Sequence, residues 1–345
     1  MVARSHVTQL SYLSMKKILF VKLTSLGDLI HALPALTDAK NAYPEIQFDW
    51  VIDENFQEVA SWHKAVSNVF TTNHRKWRNN LFKSVAPIAR LMRGIRKTEY
   101  DLILDGQGNF KSAALAIGAK GTRAGFDSAS VREKVAALIY QKKYSASWEI
   151  HAIDRLRSLF SAALKYPLPK TAPDFGLLQE KFREPNVVLP ESFYLFIHNA
   201  TWQTKLWPES HWIELMAKIK LPVFLPWGNA QEKARAERLA LGAPNGIVLP
   251  KLTLSEIGFI LARARGCVSL DTGFSHLAAA LKIPTVALYG ATNASLIGIS
   301  EGVRLQAKRF CAPCDQKKCP YQKSLPNPPC MIEMSPDFVF KHLME

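Results

Sequence analysis

No apolar run in the 345 residues approaches the roughly 20 needed for a membrane-spanning helix, so a spanning topology is not expected. The first fourteen residues, MVARSHVTQLSYLS, lack the continuous apolar segment of a secretory signal; with Met15 followed at once by KKILFVK, residues 1–14 read as an extension outside the fold. The first turn, KLTSLGDL, lacks G-x-G-x-x-G, which sets aside a nicotinamide-dependent dehydrogenase. No recognisable RNA- or DNA-binding motif occurs either, so a basic nucleic-acid-binding protein, the alternative of a different class, rests on charge alone. Asp and Glu are missing altogether from Lys64 to Lys97, a stretch with nine Lys and Arg. That leaves either a solvated basic face or a surface for a polyanion such as nucleic acid, anionic lipid or a phosphorylated acceptor. Within it, Trp77 of RKWR offers an aromatic for a membrane interface or for stacking on a sugar.

What is present is enough for two cores. The chain is about twice the length of a typical domain, with 48% hydrophobic and 10% aromatic residues and a net charge of +15. Apolar strand candidates alternate with helical patterns. KILFVK (17–22) leads through TSLGD into a helix expected to run to about Ala42. FDWVID, VSNVFTT, YDLILDGQG and TRAGFD are the next strands, and VREKVAALIY reads as a helix. After a helix at 152–164, KYPLPKTAPD carries three prolines in ten residues and reads as an interdomain connection. The alternation then restarts with FYLFIHNA, PVFLPWG, GIVLP, GCVSLD and PTVALYG, with Thr253-x-x-Glu256 as a capping box. Such alternation predicts right-handed βαβ units and parallel sheets. Two successive α/β sheets facing each other across a cleft are the expected architecture, with ligands at the carboxyl ends of the strands. The expected divisions are 1–14 outside the fold, 15–170, 171–325, and a C-terminal helical segment, 326–345, packing back on the first domain.

Ser269 to Leu281, SLDTGFSHLAAAL, is a strand, a glycine turn and an Ala-rich helix. Free N–H groups at a helix start sit at the positive end of the dipole and can receive phosphate. The other strand ends deliver Ser25, Gly27 and Asp28, then Gln107 from the strand ending in Asp105; Thr201, Lys205 and Glu232 come from the second half. One half thus carries a carboxylate, the other a lysine, a threonine and a helix amino terminus, a division suited to a phosphorylated donor and an acceptor hydroxyl.

KILFVKLTSLGDLIHALPALTDA, FDWVIDENF with the following SWH, LPWG, and above all SLDTGFSHLAAAL resemble the lipopolysaccharide heptosyltransferases of glycosyltransferase family 9, and among them the heptosyltransferase I branch. The resemblance covers roughly residues 15–305. It implies a GT-B fold of two facing Rossmann-like domains, and transfer of L-glycero-D-manno-heptose from ADP-heptose to the first Kdo of Kdo2-lipid A at the cytoplasmic face of the inner membrane, with peripheral association and no nucleic-acid partner. Heptosyltransferase II, which adds the next heptose, is the nearest alternative.

Carried over by position, Asp28 matches the family's general base, although Gly-Asp at such a turn also suits a helix N-cap. Thr201 and Lys205 match the diphosphate contacts, Asp271, Thr272 and Gly273 the phosphate turn, Glu232 the acid on the nucleotide ribose, and His276 a further donor contact or a packing residue. For the acceptor's carboxylate and phosphates the candidates are Arg75, Arg78 and Arg132 alongside Ser25, Gly27 and Gln107, since arginine's planar fork suits both groups. The chemistry requires no metal, because cations and a helix dipole can neutralise the leaving diphosphate, and the Asp-x-Asp motif of the other major glycosyltransferase fold is not evident. Cys311, Cys314, Cys319 and Cys330 depart from the family pattern in spelling C-x₂-C-x₄-C-x₁₀-C. Structural zinc, a disulfide and free thiols remain open there, and a cytosolic location argues against stable disulfides.

Overall fold

The computed structural model describes residues 16–345 apart from 80, 323 and 324, and the side chains of 75, 78 and 81–83 are also outside the description. The extension 1–14 therefore lies outside the described residues. The chain forms two compact units, one ending at Leu178 and the other spanning Gln179–Glu345.

The first unit is a six-stranded, all-parallel sheet of β1 (Lys17–Val21), β2 (Gln47–Asp53), β3 (Val66–Thr72), β4 (Glu99–Asp105), β5 (Lys120–Phe126) and β6 (Lys142–Tyr144), in the order β3-β2-β1-β4-β5-β6. Four of the five residues of β1 are buried. Such a strand has both faces covered by helices, so its sequence is a continuous apolar run with no alternation. The helix expected from TSLGD to Ala42 is two helices, α1 (Leu26–Ile30) and α2 (Leu33–Ala42). Pro34 explains the break: it lacks an N–H and is accommodated in a first turn, where it stands in α2. The basic segment is helical as α3 (His74–Asn79) and α4 (Leu81–Arg96), followed by α5 (Phe110–Gly118). VREKVAALIY is helical only over α6 (Lys134–Ala137), and α7 is Ala152–Leu164. Trp77, partly buried, packs with Phe70 and Met92 on the core formed by Leu19, Val21, Val51 and Ile103. Its large apolar surface is worth more buried than exposed.

One buried ion pair fixes α7. Arg157 Nε donates to Asp38 Oδ2 at 2.7 Å and Nη2 to Oδ1 at 3.3 Å, tying α7 to α2 with both side chains under 10% exposed. Removing one partner of such a pair costs about 3–5 kcal/mol because the other charge is left buried.

The second unit repeats the plan with β7 (Tyr194–Ile197), β8 (Val223–Leu225), β9 (Gly246–Val248), β10 (Gly266–Leu270), β11 (Thr285–Tyr289) and β12 (Val303–Gln306). Its order is β9-β8-β7-β10-β11-β12, again all parallel. Counted within each unit, both sheets read 3-2-1-4-5-6, the doubly wound order whose crevice opens between the first and fourth strands. The helices that matter below are α8 (Glu209–Ala217), α9 (Ala230–Gly242), α10 (Leu254–Leu261), α11 (Gly273–Ala280) and α12 (Pro336–Met344). Thr253 and Glu256 form the expected capping box of α10. The closing helix α12 packs on α8 and β11, burying Val339 in the core of the second unit. Among the described residues no helix is long and apolar enough to cross a membrane.

Candidate active site

In the first unit the switch point lies between β1 and β4, and the loops after both strands are joined there. Gln107 Oε1 accepts from the N–H of Leu23 (3.0 Å) and of Thr24 (3.3 Å). Asp105, wholly buried, sets up that loop by accepting from Gln107 N and Gly108 N at 2.9 Å each and from the Tyr140 hydroxyl at 2.7 Å. The site residue is therefore Gln107, with Asp105 its anchor.

Asp28 is half-buried in α1, and its Oδ2 accepts from Ser25 N at 2.8 Å and Ser25 Oγ at 3.0 Å. Asp28 is not the N-cap expected of it: Ser25 takes that position, and Asp28, at the third helical residue, completes the capping box by accepting from the Ser25 N–H. It also lines a cavity of about 130 Å³ shared with Lys22, Gln107, Arg132, Trp148 and Arg155. Asp28, Gln107 and Arg132 are thus brought together, with Ser25 bound to Asp28 and Gly27 buried in the same helix. The side chains of Arg75 and Arg78 are outside the described residues.

Three members of this cavity wall were not foreseen. Lys22 closes the apolar strand and is 6% exposed; its Nζ donates to Gly106 O at 3.3 Å. Burial lowers the pKa of its ammonium, while Asp28 and Asp105 pull the other way. Arg155 stacks on Trp148, 3.4 Å from the ring centroid, and its Nη2 donates to Ser130 O at 2.7 Å. Its Nε is buried with no hydrogen-bond partner, and burial lowers the guanidinium's pKa. A lysine directly after an apolar strand was a readable signal for Lys22; Arg155 arrives through the packing of α7 against β5 and β6, and Trp148 from the loop before α7, where its Nε1 donates to Ala129 O at 3.1 Å.

In the second unit the corresponding point lies between β7 and β10. Lys205, in a short turn after β7, reaches Asp271, at the end of β10, with Nζ 2.5 Å from Oδ2. Thr292 Oγ1 donates to the same oxygen at 2.6 Å, and His276 Nε2, one turn into α11, stands 3.7 Å from Oδ1. Burial pushes the Asp271 carboxyl upward, but neighbouring His276 and the Lys205 charge overcome it and hold the group well below the usual carboxylate range. Asp271 is therefore an anionic anchor that fixes a lysine beside the start of a helix, where Thr272 is the N-cap and Gly273 the first residue. The Lys205 ammonium also lies 4.8 Å above the Trp202 ring. Thr201 is exposed in the same loop. Glu232 is turned back on its own loop at the start of α9: its Oε2 accepts from Gly228 N at 2.7 Å, and its N–H is capped by Asn229 Oδ1 at 3.0 Å.

The four C-terminal cysteines are free thiols that share one small cavity of about 40 Å³. Burial, then the neighbouring thiols, push Cys330 up to about 11. Among the described residues no group of three or more His, Cys, Asp or Glu is arranged to hold a metal ion.

The chain matches the family model of glycosyltransferase family 9 (heptosyltransferase) over residues 88–325. It is 45% identical over 315 residues to lipopolysaccharide heptosyltransferase 1 of Pseudomonas aeruginosa, covering 89% of this chain and 88% of the relative.

The chain belongs to glycosyltransferase family 9.

It is also 41% identical over 290 residues to lipopolysaccharide heptosyltransferase 1 of Escherichia coli K12, covering 82% of this chain and 90% of that protein. Among solved structures it is similar to E. coli heptosyltransferase WaaC with ADP-2-deoxy-2-fluoro heptose, at a TM-score of 0.79 and 34% identity over 95% of this chain and 99% of that one. This family 9 chain is accordingly a glycosyltransferase with the doubled Rossmann-like, GT-B-type fold read from the sequence. Its polar strand ends sit where such a fold binds its ligands.

Proposed function

We propose that this glycosyltransferase is a heptosyltransferase I: it moves L-glycero-D-manno-heptose from ADP-heptose to the first Kdo of Kdo2-lipid A, with inversion, working peripherally at the cytoplasmic face of the inner membrane. The observation that carries the reading is the cavity at the β1–β4 switch point, where one carboxylate, Asp28, is surrounded by Lys22, Arg132 and Arg155. A hydroxyl acceptor that is itself a carboxylic acid suits such a wall, since arginine forks pair with carboxylates and an unpartnered buried Nε awaits an acceptor.

Asp28 takes the proton of the attacking hydroxyl as its oxygen bonds to the anomeric carbon and the bond from that carbon to the diphosphate breaks. Base catalysis of this kind supplies about 10² to 10⁴ in rate. Charge growing on the leaving ADP is met by the Lys205 ammonium, by Thr201, and by the N–H groups opening α11 at Thr272 and Gly273. Asp271, with His276 beside it, holds Lys205 in place, and Glu232, whose Oε2 is bound to Gly228 N, is assigned the nucleotide ribose. Every charge in this scheme is met by a side chain or a helix terminus, so ADP-heptose is the donor substrate and no resident cofactor is invoked.

The reading is supported by relatives that bear the heptosyltransferase 1 name, which also favour it over addition of the second heptose. Turnover with ADP-heptose and Kdo2-lipid A, set against its heptosylated product, tests it. Transfer to the unheptosylated acceptor is expected, and transfer only to the heptosylated one would overturn the assignment.

A further inference from the structure

The two helices that follow the acceptor-side loops leave apolar side chains uncovered. On α5, Phe110 (59% exposed) and Ile117 (55%) are seven residues apart and so share a face; at α6, Val135 (47%) and Leu138 (79%) are three apart. The helices pack on one another, and their starts are tied together by Phe110 N donating to Glu133 Oε2 at 2.9 Å and Glu133 N to Gly108 O at 3.0 Å. Large apolar side chains gathered outside a core mark a binding surface more often than an accident.

The border of this face is cationic. Neither α5 nor α6 contains an acidic residue, and each carries an exposed lysine, Lys111 and Lys134. One carboxylate, the exposed Glu133, stands at the start of α6, where it accepts from the Phe110 N–H. On the other side α4 packs against α5; Arg96 Nε donates to Gly118 O at 2.9 Å, and exposed Arg93, Arg96 and Lys97 line a shallow cavity of about 450 Å³. Apolar side chains ringed by lysine and arginine fit a bilayer surface containing anionic phospholipid: the apolar groups enter the acyl boundary and the cations meet the headgroup phosphates.

We infer that the face formed by α5 and α6 docks the enzyme on an anionic membrane, with Phe110, Ile117, Val135 and Leu138 entering the lipid. The inference rests on the reading of a lipid-anchored acceptor and adds where the protein meets that lipid. Its position in the chain gives it a use. Phe110 follows Gln107 by three residues and Val135 follows Arg132 by three, so the docking helices begin where the Asp28 cavity wall ends. An acceptor sugar held at the headgroup level would be delivered to the cavity with no need to leave the bilayer.

Co-sedimentation with vesicles of phosphatidylcholine, alone or with an equal part of phosphatidylglycerol, tests the inference on the full-length enzyme. Wild type is expected to bind the anionic vesicles and largely ignore the neutral ones. The double variant Phe110→Gln/Leu138→Gln should lose affinity by at least about tenfold. Leu241→Gln, at a still more exposed leucine on α9, should not change it. All three proteins are expected to turn over a deacylated, water-soluble acceptor equally, while the double variant falls behind on acceptor embedded in vesicles. Failure on the soluble acceptor would count against the proposed function alone. Unchanged vesicle binding by the double variant, an equal loss in Leu241→Gln, or an effect confined to dissociation of a dimer would overturn the docking face.

Discussion

In each unit a carboxylate stands just past one of the two strands that flank the sheet's switch point, Asp28 after the first strand and Asp271 after the fourth, yet the two are treated in opposite ways. Asp271 is buried and pinned by a lysine at 2.5 Å and a threonine at 2.6 Å, with a histidine nearby. Asp28 is half-buried, held by the backbone and hydroxyl of its own loop, and lines a cavity whose cations, among the described residues, do not ion-pair with it. A carboxylate saturated by short contacts is an anchor for its partners. One that opens on a cavity keeps an oxygen for an incoming proton. Both stand at a switch point, on opposite strands of it; the environment decides the chemistry.

The largest effect that would sharpen this contrast is in Asp28→Asn, expected to lower kcat by about 10² to 10⁴ while the protein stays folded and its melting temperature changes little. Near-wild-type turnover would remove Asp28 from the chemistry. Lys205→Ala is expected to cost about 10² to 10³ in kcat, the scale for losing one charged stabiliser of a leaving group, with weaker ADP binding. Asp271→Asn should behave differently from Asp28→Asn by destabilising the fold. Cutting a buried pair costs about 3–5 kcal/mol, read as a lower denaturant midpoint.

The pH dependence of that loss has a defined sign. Because folding holds Asp271 below the ordinary carboxylate range, its contribution is complete above a pH of about 4 and disappears as the pH falls through its folded value. The stability gap between wild type and Asp271→Asn should therefore be constant near neutrality and close in acid. A gap that instead widened in acid would contradict the anchor role. Arg155→Ala is expected to raise KM for the acceptor by about tenfold with kcat nearly kept, as removal of one arginine fork does. Glu232→Ala should be smallest, about 1 kcal/mol of stability from the lost cap and a few-fold in ADP affinity.

Much of this was legible in the chain. Continuous apolar runs such as KILFVK and GCVSL identify strands covered on both sides, and the turn residues behind them fall at strand ends because the strands are parallel. SLDTGFSHLAAAL yields the helix start and the Asp271 turn by local rules alone. Residues that reach a site through tertiary packing left no local trace. Arg155 lies in the first turn of α7 with nothing in its neighbours to distinguish it from a solvated arginine. It comes to the cavity because the Asp38–Arg157 pair fixes α7 against α2 and the helix lies over β5 and β6. Trp77 shows the converse, a tryptophan in a basic run whose partial packing on the core has no local signal. The single helix expected up to Ala42 also failed locally, because the pattern continues through Pro34 although the hydrogen-bonding ladder cannot.

The division of labour between the two carboxylates is tested most directly by ADP titration calorimetry on Asp28→Asn and Asp271→Asn, with turnover measured on the same samples. Asp28→Asn is expected to bind ADP like wild type while transfer is lost, and Asp271→Asn to lose ADP affinity together with transfer. ADP affinity that falls in Asp28→Asn and survives in Asp271→Asn would contradict it.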